Sequence, residues 1–328
     1  MSRRGTLLRL LADGELHSGE VLARALGVTR AAVGKQIQSL AQWGIDVESV
    51  ARRGYRLGTA LDFIDADALR DALAPRSRER LARLEVQEVL ESTNSHLLGD
   101  ADLPAGRFRA CLAEYQTAGR GRRGRDWIQH FGSGLCLSFS WLFREPPAAP
   151  GTLSLAAGVA ALRALAQAGV PGCTLKWPND VLKDGGKLGG ILSELRLEAA
   201  GPAYVVIGIG LNVRLPLGAR AAIEAAGGAT PADLATVVPL PSRTGLAALL
   251  IDAFVEVAVE FETHGFAPLL AEWRRADALL GERVSVHRRD GIQEGVARGI
   301  TSDGALRVEI DGRIDELRAG EVSLRNVA

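Results

Sequence analysis

The chain has 328 residues, enough for two or three domains at about 150 residues each. With 47% apolar and 24% charged residues, a disordered, fibrous or collagen-like protein is excluded. Lys plus Arg equals Asp plus Glu at 39 each, so no net field draws the whole chain onto nucleic acid or an anionic membrane, and an anion site must be a local cluster.

The N-terminal apolar run is broken by Arg9 and Asp13, which does not suit a secretory signal. Residues 1–60 carry nine Lys/Arg against five Asp/Glu and show helical periodicity. Leu7, Leu8 and Leu11 form one stripe and Leu22 and Leu26 a second. Gly27 suits a helix end and Thr29 the cap of the next helix. That helix, from Arg30 to about Trp43, puts Val33, Ile37 and Leu40 on one face. Ala31, Lys35, Gln38 and Gln42 lie on the other, with no acid among them. Residues 45–57 read as a hairpin with Arg52 and Arg53 at its turn, completing a winged helix-turn-helix plan.

A short helix over 62–74 is expected to stop before Pro75. Strand-like runs at 84–90, 108–115, 135–142 and 203–209 then alternate with helical runs at 153–169 and 245–264, predicting a mixed α/β core. In 281–328 short strands (283–287, 295–300, 305–310) separated by Asp-Gly pairs predict a small β-barrel. The longest apolar stretches, such as 153–162 and 203–213, are too short to span a membrane. Cys111, Cys136 and Cys173 lack C-x-x-C spacing, which argues against a disulfide framework or zinc site and for a reducing cytoplasm.

Four strings stand out. In GRGRRGR (119–125) four arginines crowd seven residues. Like charges about 6 Å apart in water repel by roughly 0.7 kcal/mol per pair, so a polyanion would order such a loop, although a solvated surface loop is the plainer alternative. KWPNDVLKDGGKLGG (176–190) surrounds Lys187 with glycines, either a hairpin facing water or a cation approachable by developing negative charge. Glu91-Ser92-Thr93-Asn94 is a helix cap or a polar ligand contact, or both. Gly208 and Gly210, before Asn212, allow a flat ligand or close packing against a helix. No Ser/His/Asp triad or carboxylate-rich metal site suggests itself.

In this order, ESTN, Gln116-Thr117-Ala118-GRGRRGR, KWPND, GGKLGG, GIGLN and a terminal GEVSLR, the strings resemble the biotin protein ligases over nearly the whole chain. With the winged helix, the resemblance is to the bifunctional class that is also the biotin operon repressor. The implied fold class is α+β: a winged helix-turn-helix over 1–61, a mixed α/β ligase domain over 62–280 and an SH3-like β-barrel over 281–328. The implied reaction consumes ATP with Mg²⁺, forms biotinyl-5′-AMP, and transfers biotin to a lysine of a biotin carboxyl carrier protein, the acetyl-CoA carboxylase subunit.

By resemblance, Ser92, Thr93, Asn94 and Gln116 bind the ureido head. Arg120, Gly121 and Arg122 close over carboxylate and phosphates, supported by Arg125. Lys187 contacts the carboxylate and bridging phosphate oxygen, while Lys176 and Asp180 orient the phosphate or metal and the incoming amine. Asn212 and Arg325 meet the nucleotide, and Gly208, Gly210 and Trp127 line the slot for the valeryl chain. Where some bifunctional members cover adenine with an aromatic side chain, 214–231 has none. Arg30, Ala31, Lys35, Gln38 and Gln42 would face an operator's major groove and Arg52 and Arg53 its phosphates, in a ligand-promoted homodimer. A non-catalytic ligand-sensing regulator and a lipoate or octanoate ligase remain alternatives.

Overall fold

The computed structural model describes residues 2–197, 201–225, 229–288, 291–318 and 323–326. The first three helices are α1 (Arg3–Leu11), α2 (Gly19–Leu26) and α3 (Arg30–Leu40). Ser2, Ser18 and Thr29 cap them, each side chain accepting the N–H three residues on. Gly27, with φ 64°, closes α2 in the left-handed region. Leu7, Leu8, Leu11, Leu22, Val33 and Leu40 are fully buried between the helices and the hairpin of β1 (Val47–Val50) and β2 (Gly54–Leu57).

This small core does not end at its own sequence. Trp43 stacks on Phe131 at 5.4 Å, and the Phe131 N–H donates to the Trp43 carbonyl at 3.2 Å. The segment leaving the arginine string therefore docks against the winged helix.

Next come α4 (Ala66–Ala72) and α5 (Pro75–Arg80). The helix ends before Pro75 as the sequence predicts, although it starts at Ala66 rather than 62, and a second helix begins at Pro75 because proline suits the first helical position. After β3 (Leu81–Leu90), α6 (Thr93–Leu98), β4 (Phe108–Gln116), β5 (Gly134–Phe143) and α7 (Leu153–Gln167) come β6 (Cys173–Lys176), β7 (Asp180–Lys183), β8 (Gly186–Leu197) and β9 (Ala203–Asn212). Among the described residues these strands form one sheet in the order β3-β4-β5-β9-β8-β7-β6. Only β3 and β4 pair in parallel. Helices α8 (Leu217–Ala225), α9 (Arg243–His264) and α10 (Leu270–Arg275) follow.

Alternation along the strands sorts the two faces. Leu135, Leu137, Phe139 and Trp141 of β5 join Val205, Ile207 and Ile209 of β9 in the core with α7 and α9. The intervening positions face α6, where Tyr204 and Val206 pack with Leu97. Arg243 and Glu114 form an ion pair at 2.6 Å with both side chains 3% exposed. Arg243 also donates to the Gly134 carbonyl, and Glu114 accepts the Ile64 N–H. The charges are fully satisfied, as burial requires.

The C-terminal strands β10 (Arg283–Arg288), β11 (Gly291–Ile300), β12 (Leu306–Ile310), β13 (Arg313–Leu317) and β14 (Ser323–Asn326) form an antiparallel sheet ordered β13-β12-β11-β10-β14. Strand β11 starts at Gly291, four residues earlier than its alternation suggests, and Asp290 lies outside the described residues. The Trp177 indole N–H donates to the Gly304 carbonyl at 3.0 Å, tying this sheet to the KWPND string.

Candidate active site

A cavity of about 720 Å³ opens on the α6 face of the large sheet. The start of α6, β8, β9 and the arginine string all contribute to its lining.

At one end, Ser92 caps α6 and Thr93 and Asn94 form its first turn; all three are buried. The Thr93 N–H and hydroxyl donate to Gln116 Oε1 at 2.8 and 3.1 Å. Ser138 Oγ lies 2.7 Å from Thr93 Oγ1 and 2.5 Å from Asn94 Oδ1, offering one proton to two acceptors. Asn94 Nδ2 donates to the Leu192 carbonyl at 3.2 Å and to Glu194 Oε2 at 2.8 Å. Gln116 Nε2 donates to Cys136 Sγ at 3.1 Å. Burial pushes the Cys136 thiol up to about 12, so it stays protonated.

At the other end, Lys187 Nζ pairs with Asp180 Oδ1 at 2.7 Å, with the side chains 28% and 22% exposed. The bound for this geometry is set on β7 and β8, where Asp180 faces Gly190 across the ladder. Burial, reinforced by the charge of Lys187, pushes the Lys176 ammonium below its ordinary range against the opposing pull of Asp180. Arg122 Nη1 donates to Asn179 Oδ1 at 3.4 Å, and its guanidinium is likewise pushed down by burial and by Arg123.

The arginine string is a tight hairpin. The Gly121 N–H donates to the Arg125 carbonyl at 2.7 Å and the Trp127 N–H to the Gly119 carbonyl at 2.9 Å. Arg123 and Gly124, with φ 59° and 70°, make the tip. Arg120 does not join Arg122: its Nη2 lies 3.0 and 2.9 Å from the two Glu194 oxygens. Arg125 lines the cavity and is exposed.

Gly208 and Gly210 do line the cavity, but the flat groups lying on them belong to the protein. A Cβ on Gly208 would overlap the Asn94 carboxamide, and one on Gly210 would overlap the Trp127 indole. Trp127 in turn carries Lys187 Nζ 6.0 Å from its ring centre. Asn212 is buried and donates to the Lys187 and Ala232 carbonyls at 3.3 and 3.0 Å, so it pins the strand crossing beside Lys187. The segment lacking aromatics supplies Ile223, Ala229 and Pro231 to the lining.

The family models place this architecture. The description "Biotin/lipoate A/B protein ligase family" matches residues 86–212, "HTH domain" matches 3–56 and "Biotin protein ligase C terminal domain" matches 279–325. The bifunctional ligase/repressor BirA of Salmonella typhimurium is 39% identical over 98% of this chain and 97% of its own. The chain belongs to the BirA family of bifunctional ligase/repressors.

Two solved relatives share its fold. A single-residue mutant of the Aquifex aeolicus biotin protein ligase, in complex with biotin, is 26% identical with a TM-score of 0.61. It covers 75% of this chain and 99% of its own. The same enzyme with biotin and ATP is 25% identical, TM-score 0.57, over 75% of this chain and 100% of that one.

As in the BirA family, a winged helix precedes the ligase domain. Arg30, Ala31, Lys35 and Gln38 are exposed on α3, and Arg52 and Arg53 are exposed at the hairpin tip. Gln42 is exposed but sits past the end of α3 in a 3₁₀ turn over Ala41–Trp43. That turn is drawn toward the ligase domain by the Trp43–Phe131 stack, and the Tyr115 hydroxyl donates to the Gln42 carbonyl at 3.4 Å. The Arg325 backbone pairs with Ser285 in β14, and its side chain lies outside the described residues.

No sequence motif marked Glu194, Ser138 or Cys136, while Asn179 lies in the KWPND string. Ser138 and Cys136 sit inside an apolar run whose pairing with Gly208 and Gly210 brings them to the site. Among the described residues no helix is long and apolar enough to cross a membrane.

Proposed function

We propose that the chain joins biotin to a carrier lysine in two steps and represses transcription through its winged helix. The carrying observation is the polarity of one cavity. Its buried polar end can pair a cyclic urea, and its cationic end, Lys187 with Arg122 and Lys176, can hold an anion.

A urea oxygen needs donors and its two N–H groups need acceptors. Ser92 Oγ, 3.5 Å from the Ser95 N–H, keeps its own proton for the former, and Asn94 Oδ1 and Thr93 Oγ1 keep lone pairs for the latter. The ligand's carboxylate then lies toward Lys187. In the first step a carboxylate oxygen attacks the α-phosphorus of ATP, the bond to the bridging oxygen breaks and pyrophosphate departs. Two anions must approach, and Lys187 and Arg122 offset their repulsion while stabilising the charge that builds on phosphorus.

In the second step a neutral lysine amine of a biotin carboxyl carrier protein attacks the acyl carbon. The bond to phosphate breaks, AMP leaves and the nitrogen loses a proton. The arginine hairpin would shield the mixed anhydride from water.

Mg²⁺ fits this donor set as a nucleotide-borne ion. Among the described residues no three His, Cys, Asp or Glu side chains cluster as a ready cage. Mg²⁺ characteristically uses phosphate oxygens and one or two carboxylates, and Asp180 is the carboxylate at that end. It would supply charge neutralisation on the phosphates.

The setting we infer is cytoplasmic, in keeping with three free cysteines. Repression would use a homodimer on a palindromic operator, strengthened by biotinyl-5′-AMP. A gel shift with and without the adenylate checks that part.

The test of ligation is incubation with biotin, ATP, Mg²⁺ and a carrier domain. The expected result is a mass gain of one biotinyl group on the acceptor. An unmodified acceptor would refute the reading.

A further inference from the structure

Glu194 stands on β8 outside every motif, yet its carboxylate touches both the polar end of the cavity and the arginine hairpin. We propose that Glu194 is a positioning residue for recognition of the cyclic urea: it fixes which way the Asn94 carboxamide faces and anchors the arginine hairpin through Arg120. The proposal rests on the biotin-ligase reading above.

A carboxylate only accepts hydrogen bonds, so Asn94 must turn Nδ2 toward it. The Leu192 carbonyl, another pure acceptor, takes the second amide proton. Asn94 Oδ1 is thereby directed at Ser138 and the cavity. The bare Gly208 beneath leaves room for this pose. A ligand N–H arriving there meets an acceptor. Were the amide reversed, it would meet another N–H.

Glu194 acts on the hairpin at the same time. Arg120 reaches both of its oxygens, at 3.0 and 2.9 Å. At about 3.3 Å per strand residue, Glu194 lies some 13 Å along β8 from Gly190, beside which the Lys187 ammonium sits. Arg120 is thus committed to the urea end, while Arg122, on Asn179, serves the anion end. The two arginines have different tasks: one roots the hairpin and the other meets charge.

The experiment is steady-state kinetics of the full chain with biotin, ATP and a carrier domain. Wild type, Glu194→Gln, Arg120→Ala and the double variant are compared, each with a thermal melt. Gln keeps the shape but leaves one acceptor oxygen where Asn94 Nδ2 and Arg120 together use two, so an N–H meets one of these donors. Glu194→Gln is expected to raise the KM for biotin about ten-fold. Its kcat and its KM for ATP should stay within about two-fold, since both act at the other end. The double variant should lose less than the product of the single losses, because both break one contact.

An unchanged biotin KM, an equal rise in the ATP KM, or full multiplicativity would overturn the proposal. If the Gln variant melts early, Glu194→Asp, which keeps the charge but withdraws it by one methylene, must show the same split. A wild-type chain that transfers no biotin would instead overturn the ligase reading itself.

Discussion

At one end of the cavity Thr93, Asn94, Gln116 and Ser138 are held by hydrogen bonds among themselves and to β8. At the other, Lys176, Lys187, Asp180 and Arg122 form a charged cluster partly open to solvent. In the proposed reading the first end is shaped before a ligand arrives and would discriminate by leaving its polar groups unpaired when the wrong molecule enters. The second is held by a few electrostatic contacts and, in the same reading, would act on charge that appears only as bonds change. Substitutions at the two ends should therefore separate ground-state binding from turnover.

The largest expected effect is at the charged end. Lys187→Ala should lower biotin-dependent adenylation about 10²- to 10³-fold, read as pyrophosphate release. Its melting temperature should barely move, since the Lys187 ion pair with Asp180 is part-exposed.

Arg243→Met attacks the scaffold of the polar end. It leaves Glu114 buried without its partner, two residues before Gln116 on β4, and frees the Gly134 carbonyl, two residues before Cys136. Urea titration should show a loss of about 3–5 kcal/mol.

Thr93→Val removes one hydroxyl within that end. A biotin affinity about ten-fold lower, with kcat close to wild type, is expected by calorimetry and kinetics. A kcat collapse instead would mean that the two ends are not functionally separate.

Much of this was legible in the sequence, for identifiable reasons. The caps at Thr29 and Ser92 are local chemistry, so those helix starts follow from residue type. The arginine string and the glycine-flanked Lys187 announce charge and close approach within a few residues. Glu194, Ser138 and Cys136 were not legible. A strand pattern of period two tells which residues share a face but not which strand lies alongside, and only the β5–β9–β8 pairing brings them to α6.

Arg243 was not legible either, for a related reason. A charged residue at a helix start reads as exposed, and its buried partner is 129 positions away. The glycines of β9 left open a flat ligand or close packing against a helix; Gly208 lies against Asn94 on α6 and Gly210 against the Trp127 indole.

The smallest expected effect lies beneath the charged end, where the hinge to the C-terminal sheet meets β6. The Ala278 N–H donates to the Leu175 carbonyl there at 2.8 Å. Burial pushes the Asp277 carboxyl up to about 6, against the hydrogen bond from the Leu279 N–H that pulls it down. A carboxyl that binds its proton more tightly when folded gives stability that is full below pH 4 and fades as pH rises through about 6. Asp277→Asn should remove that slope and stabilise the protein at pH 7.5 by roughly 1 kcal/mol, as followed by denaturant melts across pH.

The most direct measurement is a crystal structure of the chain with biotinyl-5′-AMP bound. The account requires the urea ring against Thr93, Asn94 and Gln116, with the acyl-phosphate within hydrogen-bond reach of Lys187. A ligand bound the other way round, or an adenylate that leaves Lys187 on Asp180 and out of reach, would contradict it.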